Sequence, residues 1–139
     1  MKHIALLMFA LLTITISESY AQDYRDRIGN LMGRVDSDGT VRDKIGNSIG
    51  RIDSDGTIRN RIGNSVGRID RDGVFRDRIG NSIGRIDKDG TVRDRIGNQI
   101  GRIDDDGAVR DHIGNRVGSS NGIPKEWVAA IYFFEFFNP

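Results

Sequence analysis

A 17-residue unit runs head to tail through most of this chain. RDRIGNLMGRVDSDGTV starts at Arg25, RDKIGNSIGRIDSDGTI at Arg42, RNRIGNSVGRIDRDGVF at Arg59, RDRIGNSIGRIDKDGTV at Arg76 and RDRIGNQIGRIDDDGAV at Arg93. A partial sixth copy, RDHIGNRVG, covers Arg110 to Gly118. Self-similarity at so short a period confines the chain to a repeat architecture, in which one unit cannot bury its apolar face alone and must stack on its neighbours.

Each unit carries two chain-reversal signals. The first is Asp-x-Asp-Gly, at Asp36–Gly39, Asp53–Gly56, Asp70–Gly73, Asp87–Gly90 and Asp104–Gly107. Asp at the first turn position can bond backbone N–H groups ahead of it, and Gly at the fourth supplies the left-handed residue of a bulged hairpin. The second signal is Gly-Asn, as in Gly46-Asn47 and Gly63-Asn64, two residues that tolerate positive φ. Two reversals in 17 residues leave strands of about four to six residues. A helix does not fit, because three glycines per unit each cost about 1 kcal/mol in a helix interior. Four apolar positions recur, Val41, Ile45, Ile49 and Ile52 in one copy, and these are the expected core. The unit is too short for a four-stranded propeller blade of about 40 residues. The expected fold class is therefore all-β, with short hairpins around or along an axis. A closed ring would leave no exposed sheet edge.

The two ends of the chain differ from the repeats. Lys2 and His3 precede an apolar run from Ile4 to Ile16, and Ser19-Tyr20-Ala21 offers small residues for cleavage. This pattern predicts a signal peptide over residues 1–21, cleaved near Ala21, and hence an exported protein, periplasmic or secreted. About 13 apolar residues fall short of the roughly 20 a transmembrane helix needs. The repeat domain is expected over 22–118, a linker over 119–123, and an apolar C-terminal helix over 124–139. Pro124 suits a helix start and Glu126 its first turn, and WVAAIYFFEFF is apolar on nearly all sides, so it should be buried. Its aromatic and β-branched content also fits a strand. Two roles are open for it: a plug in the repeat ring, or an exposed anchor for a partner protein, self-association or a membrane surface.

The strings SDGTVRDKIGNSIGRI and KDGTVRDRIGNQIGRI, with the ending PKEWVAAIYFFEFF, resemble the bacterial five-fold beta-flower proteins. The resemblance spans nearly the whole chain. It implies hairpins arranged as petals about a pseudo-symmetry axis, and it implies no activity. The family tends towards Ser-rich, Tyr-containing repeats, where this chain has Arg and Asp, so its exposed surface is expected to differ. The hairpin count is ambiguous, with five Asp-x-Asp-Gly turns against six Ile-Gly-Asn turns.

Few residues suggest chemistry. The chain has no Cys, which excludes disulfides and Cys–His catalysis. His112 stands where other repeats carry Arg27, Lys44, Arg61, Arg78 and Arg95, and reads as a substituted surface base. The Asp-x-Asp-Gly turns could bind calcium, Asp104-Asp105-Asp106 foremost, but an EF-hand register would put Arg34 at its first ligand position and Ile45 at its last. The Arg rows Arg42, Arg59, Arg76, Arg93 and Arg51, Arg68, Arg85, Arg102 each have Asp close by. Net charge is +1, and every repeat carries both signs, which argues against nucleic acid. The expectation is a non-enzymatic exported structural or interaction module of the bacterial envelope or exterior. No catalytic residue, metal or cofactor is expected, and the partner is unknown. The alternatives are a calcium-stabilised binding module and a self-assembling extracellular fibre subunit.

Overall fold

A computed structural model describes residues 22–137; the expected signal peptide lies outside the described residues. Twelve strands close into one antiparallel barrel among these residues. In chain order they are β1 (Asp23–Asp26), β2 (Leu31–Val35), β3 (Thr40–Asp43), β4 (Ser48–Ile52), β5 (Thr57–Asn60), β6 (Ser65–Ile69), β7 (Val74–Asp77), β8 (Ser82–Ile86), β9 (Thr91–Asp94), β10 (Gln99–Ile103), β11 (Ala108–Asp111) and β12 (Arg116–Ser120). One helix, α1 (Lys125–Tyr132), follows. Each strand pairs with its chain neighbours, and β1 pairs with β12 to close the ring. The closure is thus six-fold, with six hairpins tipped by the Ile-Gly-Asn turns and joined by five Asp-x-Asp-Gly turns.

Both turns share one backbone form. Gly39 donates to Asp36 O at 3.0 Å while Asp36 N–H donates to Thr40 O at 2.8 Å. Gly46 donates to Asp43 O at 3.1 Å while Asp43 N–H donates to Asn47 O at 2.9 Å. The glycines take φ of 91° and 100°, the left-handed conformation that side chains resist. The second reversal is therefore Asp-x-Ile-Gly, centred two residues N-terminal of the expected Gly-Asn, and Ile45 is its third residue.

The ring closes over a turn divided between the two ends of the fold. Gln22 sits 17 residues before Gly39 and adopts a matching φ of 92°. Its N–H meets Asn121 O at 2.6 Å, as Gly39 meets Asp36, and its carbonyl accepts from Val35 N–H at 2.9 Å, as Gly39 O accepts from Ile52 N–H. Ser119 and Ser120, expected in a linker, are instead part of β12, paired with Arg25 and Tyr24, because the seam needs a full-length twelfth strand.

Inward positions alternate along the strands. Ile52 and its equivalents Val35, Ile69, Ile86 and Ile103 are buried, as are Val41, Ile58, Phe75, Val92 and Val109. Between Val41 and Arg42 the pairing skips one residue of β4, so that Val41 faces Gly50 and Arg42 faces Ser48. Ile49 is the extra residue of this bulge and is half-buried against the core.

The tail fills the barrel. Val128, Ala129 and Ala130 of α1 are fully buried. The helix stops at Tyr132 rather than continuing through 139; Glu135 is left-handed at φ 57°. The aromatics then distribute themselves one per hairpin. Tyr132 lies against Gly118, Phe133 against Gly101, Phe134 against Gly84, Phe136 against Gly67 and Phe137 against Gly50. Gly33, in the first hairpin, meets Tyr24 of β1 instead. A methyl group at Gly50 or Gly118 would stand 2.6 Å from a ring carbon, so the strand glycines create the room the rings occupy. A continuous helix would place successive residues 100° apart with a 1.5 Å rise, and could not deliver five rings to five adjacent hairpins at one level. The Tyr132 hydroxyl donates to Arg25 O at 2.5 Å, with Ser119 O at 3.2 Å, and so bridges the two seam strands. Of the two roles open for the tail, this packing is that of a plug.

Candidate functional site

The barrel has two unlike ends. At one, all six hairpins end in an Asp-x-Ile-Gly turn, with Asn60 in place of Asp in the third. Asp43 Oδ1 accepts from Ile45 N–H at 3.1 Å and Asn47 N–H at 2.9 Å, and Arg42 donates to Gly46 O at 3.0 Å. The same bonds recur at Asp26, Asn60, Asp77, Asp94 and Asp111. The turn is thus fixed from within and needs nothing from its third side chain. Ile28, Ile45, Ile62, Ile79, Ile96 and Ile113 project from the six tips, each 70–80% exposed. This corrects the expected core: of Val41, Ile45, Ile49 and Ile52, the first and last are buried, Ile49 is half-buried and Ile45 faces solvent. Leu31 and Met32, beside the first tip, are also exposed.

These tips form the outermost of three apolar rings. Inside them lie the half-buried bulge residues Ile49, Val66, Ile83, Ile100 and Val117. Further in are Tyr132, Phe133, Phe134 and Phe136, all half-buried beside the strand glycines. A repeat count could have found the tips: Asp-x-x-Gly occurs twice per unit, and aligning the two copies places Ile45 over Asp38 at an exposed turn position.

The other end is built from the Asp-x-Asp-Gly turns. The first Asp of each is held between two arginines that face each other across the strands, as Arg34 faces Arg42. Asp36 lies 3.3 Å from Arg34 and 2.7 Å from Arg42, Asp53 lies 2.8 Å from both Arg51 and Arg59, and Asp104 lies 3.1 Å from Arg102 and 2.8 Å from Arg110. The Arg110 hydrogen bond holds the Asp104 carboxyl below its ordinary range, and the partner effect raises Arg110. In four of the five turns the second Asp, Asp38, Asp55, Asp89 or Asp106, accepts from the backbone N–H two residues on, as Asp38 does from Thr40 at 3.0 Å, a bond that lowers the Asp38 pKa. In the most acidic turn, Asp105 pairs with Lys125 of α1 at 2.5 Å and Asp106 accepts from Ala108 N–H at 3.0 Å. Apart from Asp72, the carboxylates considered for calcium are therefore engaged by Arg, Lys or N–H groups. Among the described residues no group of three or more His, Cys, Asp or Glu side chains is placed to hold a metal. His112 sits on the sixth tip, at the position of the other tip bases.

The two ends differ in how their basic side chains are paired. The tips expose Arg27, Lys44, Arg61, Arg78, Arg95 and His112, none of which has an acidic partner among the described residues. The carboxylates of the tip turns are half-buried and bonded to N–H groups. The opposite end exposes Asp38, Asp55, Asp72, Asp89, Asp105 and Asp106 with Glu126, but also Arg71 and Lys88 of the same turns and the paired Arg34, Arg51, Arg68, Arg85 and Arg102, so its charge is mixed; among the described residues no large apolar side chain there is exposed. No helix among the described residues is long and apolar enough to cross a membrane.

A family model described as a 5-fold beta-flower protein matches residues 21–137, and the chain belongs to that family. No curated protein and no solved structure matches.

Proposed function

We propose that this beta-flower protein is a non-enzymatic, exported interaction module whose working surface is its isoleucine-tipped end. The observation that carries the reading is the ring of six exposed isoleucines, each held on an internally bonded turn. Contiguous exposed apolar area of this kind marks an interaction site. A plugged, edgeless barrel supplies a rigid base, and six equivalent tips supply repeated weak contacts whose effects combine. The grooves between hairpins repeat Asp and Arg around the barrel, and among the described residues there is no asymmetric cluster of the kind general acid–base or nucleophilic chemistry requires. Export is supported by the N-terminal pattern and by β1 starting at Asp23, just past the expected cleavage point.

Two measurements test the reading in cells. Fractionation with N-terminal sequencing should find the protein outside the inner membrane, starting at Gln22. A photo-crosslinking side chain placed at Ile62 should give adducts that the same group at Ser54, on the opposite end, does not. Retention in the cytoplasm, or equal crosslinking from both ends, would overturn it.

A further inference from the structure

Resting on that reading, we propose that the isoleucine-tipped end docks onto an anionic lipid surface, with the six isoleucines entering the headgroup region and the tip bases pairing with lipid phosphates. Three features of the molecule select this occupant. First, each exposed isoleucine is preceded by a base: Arg27, Lys44, Arg61, Arg78, Arg95 and His112 stand next to Ile28, Ile45, Ile62, Ile79, Ile96 and Ile113. An apolar side chain flanked by a cation suits the boundary between acyl chains and anionic headgroups. Secondly, the six tips share one turn geometry and repeat about one axis, so they end at one level. They present a flat ring to a flat surface.

Thirdly, the charges count against a second copy of this chain. Face to face, two such ends would bring like charges together. Head to tail, the tips would meet an end of mixed charge that, among the described residues, exposes no large apolar side chain to cover the isoleucines. The strands of four and five residues are also shorter than the nine to eleven of a membrane-spanning strand, so the barrel lies on the surface rather than in it.

The test uses the chain from Gln22 to Pro139, which contains the whole described barrel. It is sedimented with vesicles of phosphatidylcholine containing about one third phosphatidylglycerol, and with vesicles of phosphatidylcholine alone. Binding should be roughly tenfold or more tighter to the anionic vesicles and should weaken as salt is raised. Replacing alternate tips together, Ile45→Ser, Ile79→Ser and Ile113→Ser, should reduce binding by about tenfold or more without lowering the melting temperature. Because the chain has no native Cys, a single environment-sensitive dye can be attached through Ile62→Cys or Ser54→Cys. Vesicles should shift only the first towards the blue.

Absence of vesicle binding, or binding that the triple tip variant leaves intact, overturns the lipid assignment. So does a blue shift at Ile62→Cys without lipid, accompanied by dimers in light scattering, which would identify a second copy as the occupant. If vesicles fail while position 62 still crosslinks selectively to a protein in cells, the lipid assignment falls and the interaction reading stands. If vesicles shift Ser54→Cys instead, both fall.

Discussion

The pairing of one tail aromatic with one hairpin can be tested at its most specific point, the contact between Phe134 and Phe75. Their rings stack with centroids 4.3 Å apart and planes inclined by 26°. Phe75 is fully buried on β7, at a position where the other repeats carry Val41, Ile58, Val92 and Val109, so Phe75→Val returns this hairpin to the side chain of its neighbours. It should cost about 1–2 kcal/mol, from lost burial and a partly collapsed cavity. Phe134 is half-buried, so Phe134→Ala should cost about 2 kcal/mol, below the range of about 3–5 kcal/mol for a fully buried Phe. Stacked rings contribute about 0.5–1.5 kcal/mol beyond their buried area, and the two losses should fall short of additivity by that amount. Urea unfolding of the wild type, both single variants and the double variant closes the cycle. Phe137→Ala, whose ring lies against the second hairpin, should add to Phe75→Val within about 0.5 kcal/mol. A Phe75–Phe134 coupling inside that error, or a Phe134→Ala cost typical of a surface change, would refute the assignment of each ring to its own hairpin.

Ending the chain at Gly122 removes the plug and uncovers the inward wall formed by Val41, Ile52 and their equivalents; size-exclusion chromatography with light scattering should show aggregation or unfolding, and a folded monomer with unchanged melting would contradict the plug. Burial pushes the Tyr24 and Tyr132 phenols up to about 12, so between pH 10 and 12 the folded chain keeps protons that the unfolded chain releases. Their contribution to stability is therefore complete below pH 10 and is lost as pH rises through 12, which phenolate absorbance and thermal melts of Gln22–Pro139 should show together. Tyr132→Phe should cost about 1 kcal/mol by removing the hydroxyl that bridges the seam strands, read by urea unfolding. Asp53→Ala leaves Arg51 and Arg59 facing each other; the cost should be about 1 kcal/mol or less and larger in 20 mM than in 500 mM salt, since the uncovered repulsion is screened.

The local rules of the fold were legible because they are written several times over. Asp and Gly at fixed separation announce the turns, and two turns per 17 residues leave no space for anything but strands of four or five residues. Three features were not legible, each for a physical reason. Ile45 reads as core by hydrophobicity alone, and only the register of the turn, set by the two N–H bonds to Asp43 Oδ1, turns it outward. The run YFFEFF reads as an apolar helix by composition. Its true spacing is set by five glycines of the wall, Gly118, Gly101, Gly84, Gly67 and Gly50, a tertiary pattern spread over tens of residues. The gathering of bases without acidic partners at the tips follows from which turn each residue occupies, and the balanced charge of every repeat does not announce it.

The placement of the tips bears on how any binding by this protein must work. A single tip offers one isoleucine and one base, a contact too small to hold a partner. Six tips on a plugged barrel arrive together, and once one is seated the others are already in place, so ordering them costs little further entropy. Affinity then depends on the number of tips that can reach the surface at once, and on their staying level. The seam sets this limit, because the turn between β12 and β1 is the one the chain does not close covalently. Tyr132 is placed across that seam, and Tyr24 packs edge-on against it with centroids 6.1 Å apart. On this reasoning Tyr132→Phe should weaken surface binding by more than the loss of one tip does, although it removes neither an isoleucine nor a base from the tips. Vesicle sedimentation of Tyr132→Phe beside Ile45→Ser decides the matter, and equal or smaller loss in the tyrosine variant would show that the tips act independently of the ring.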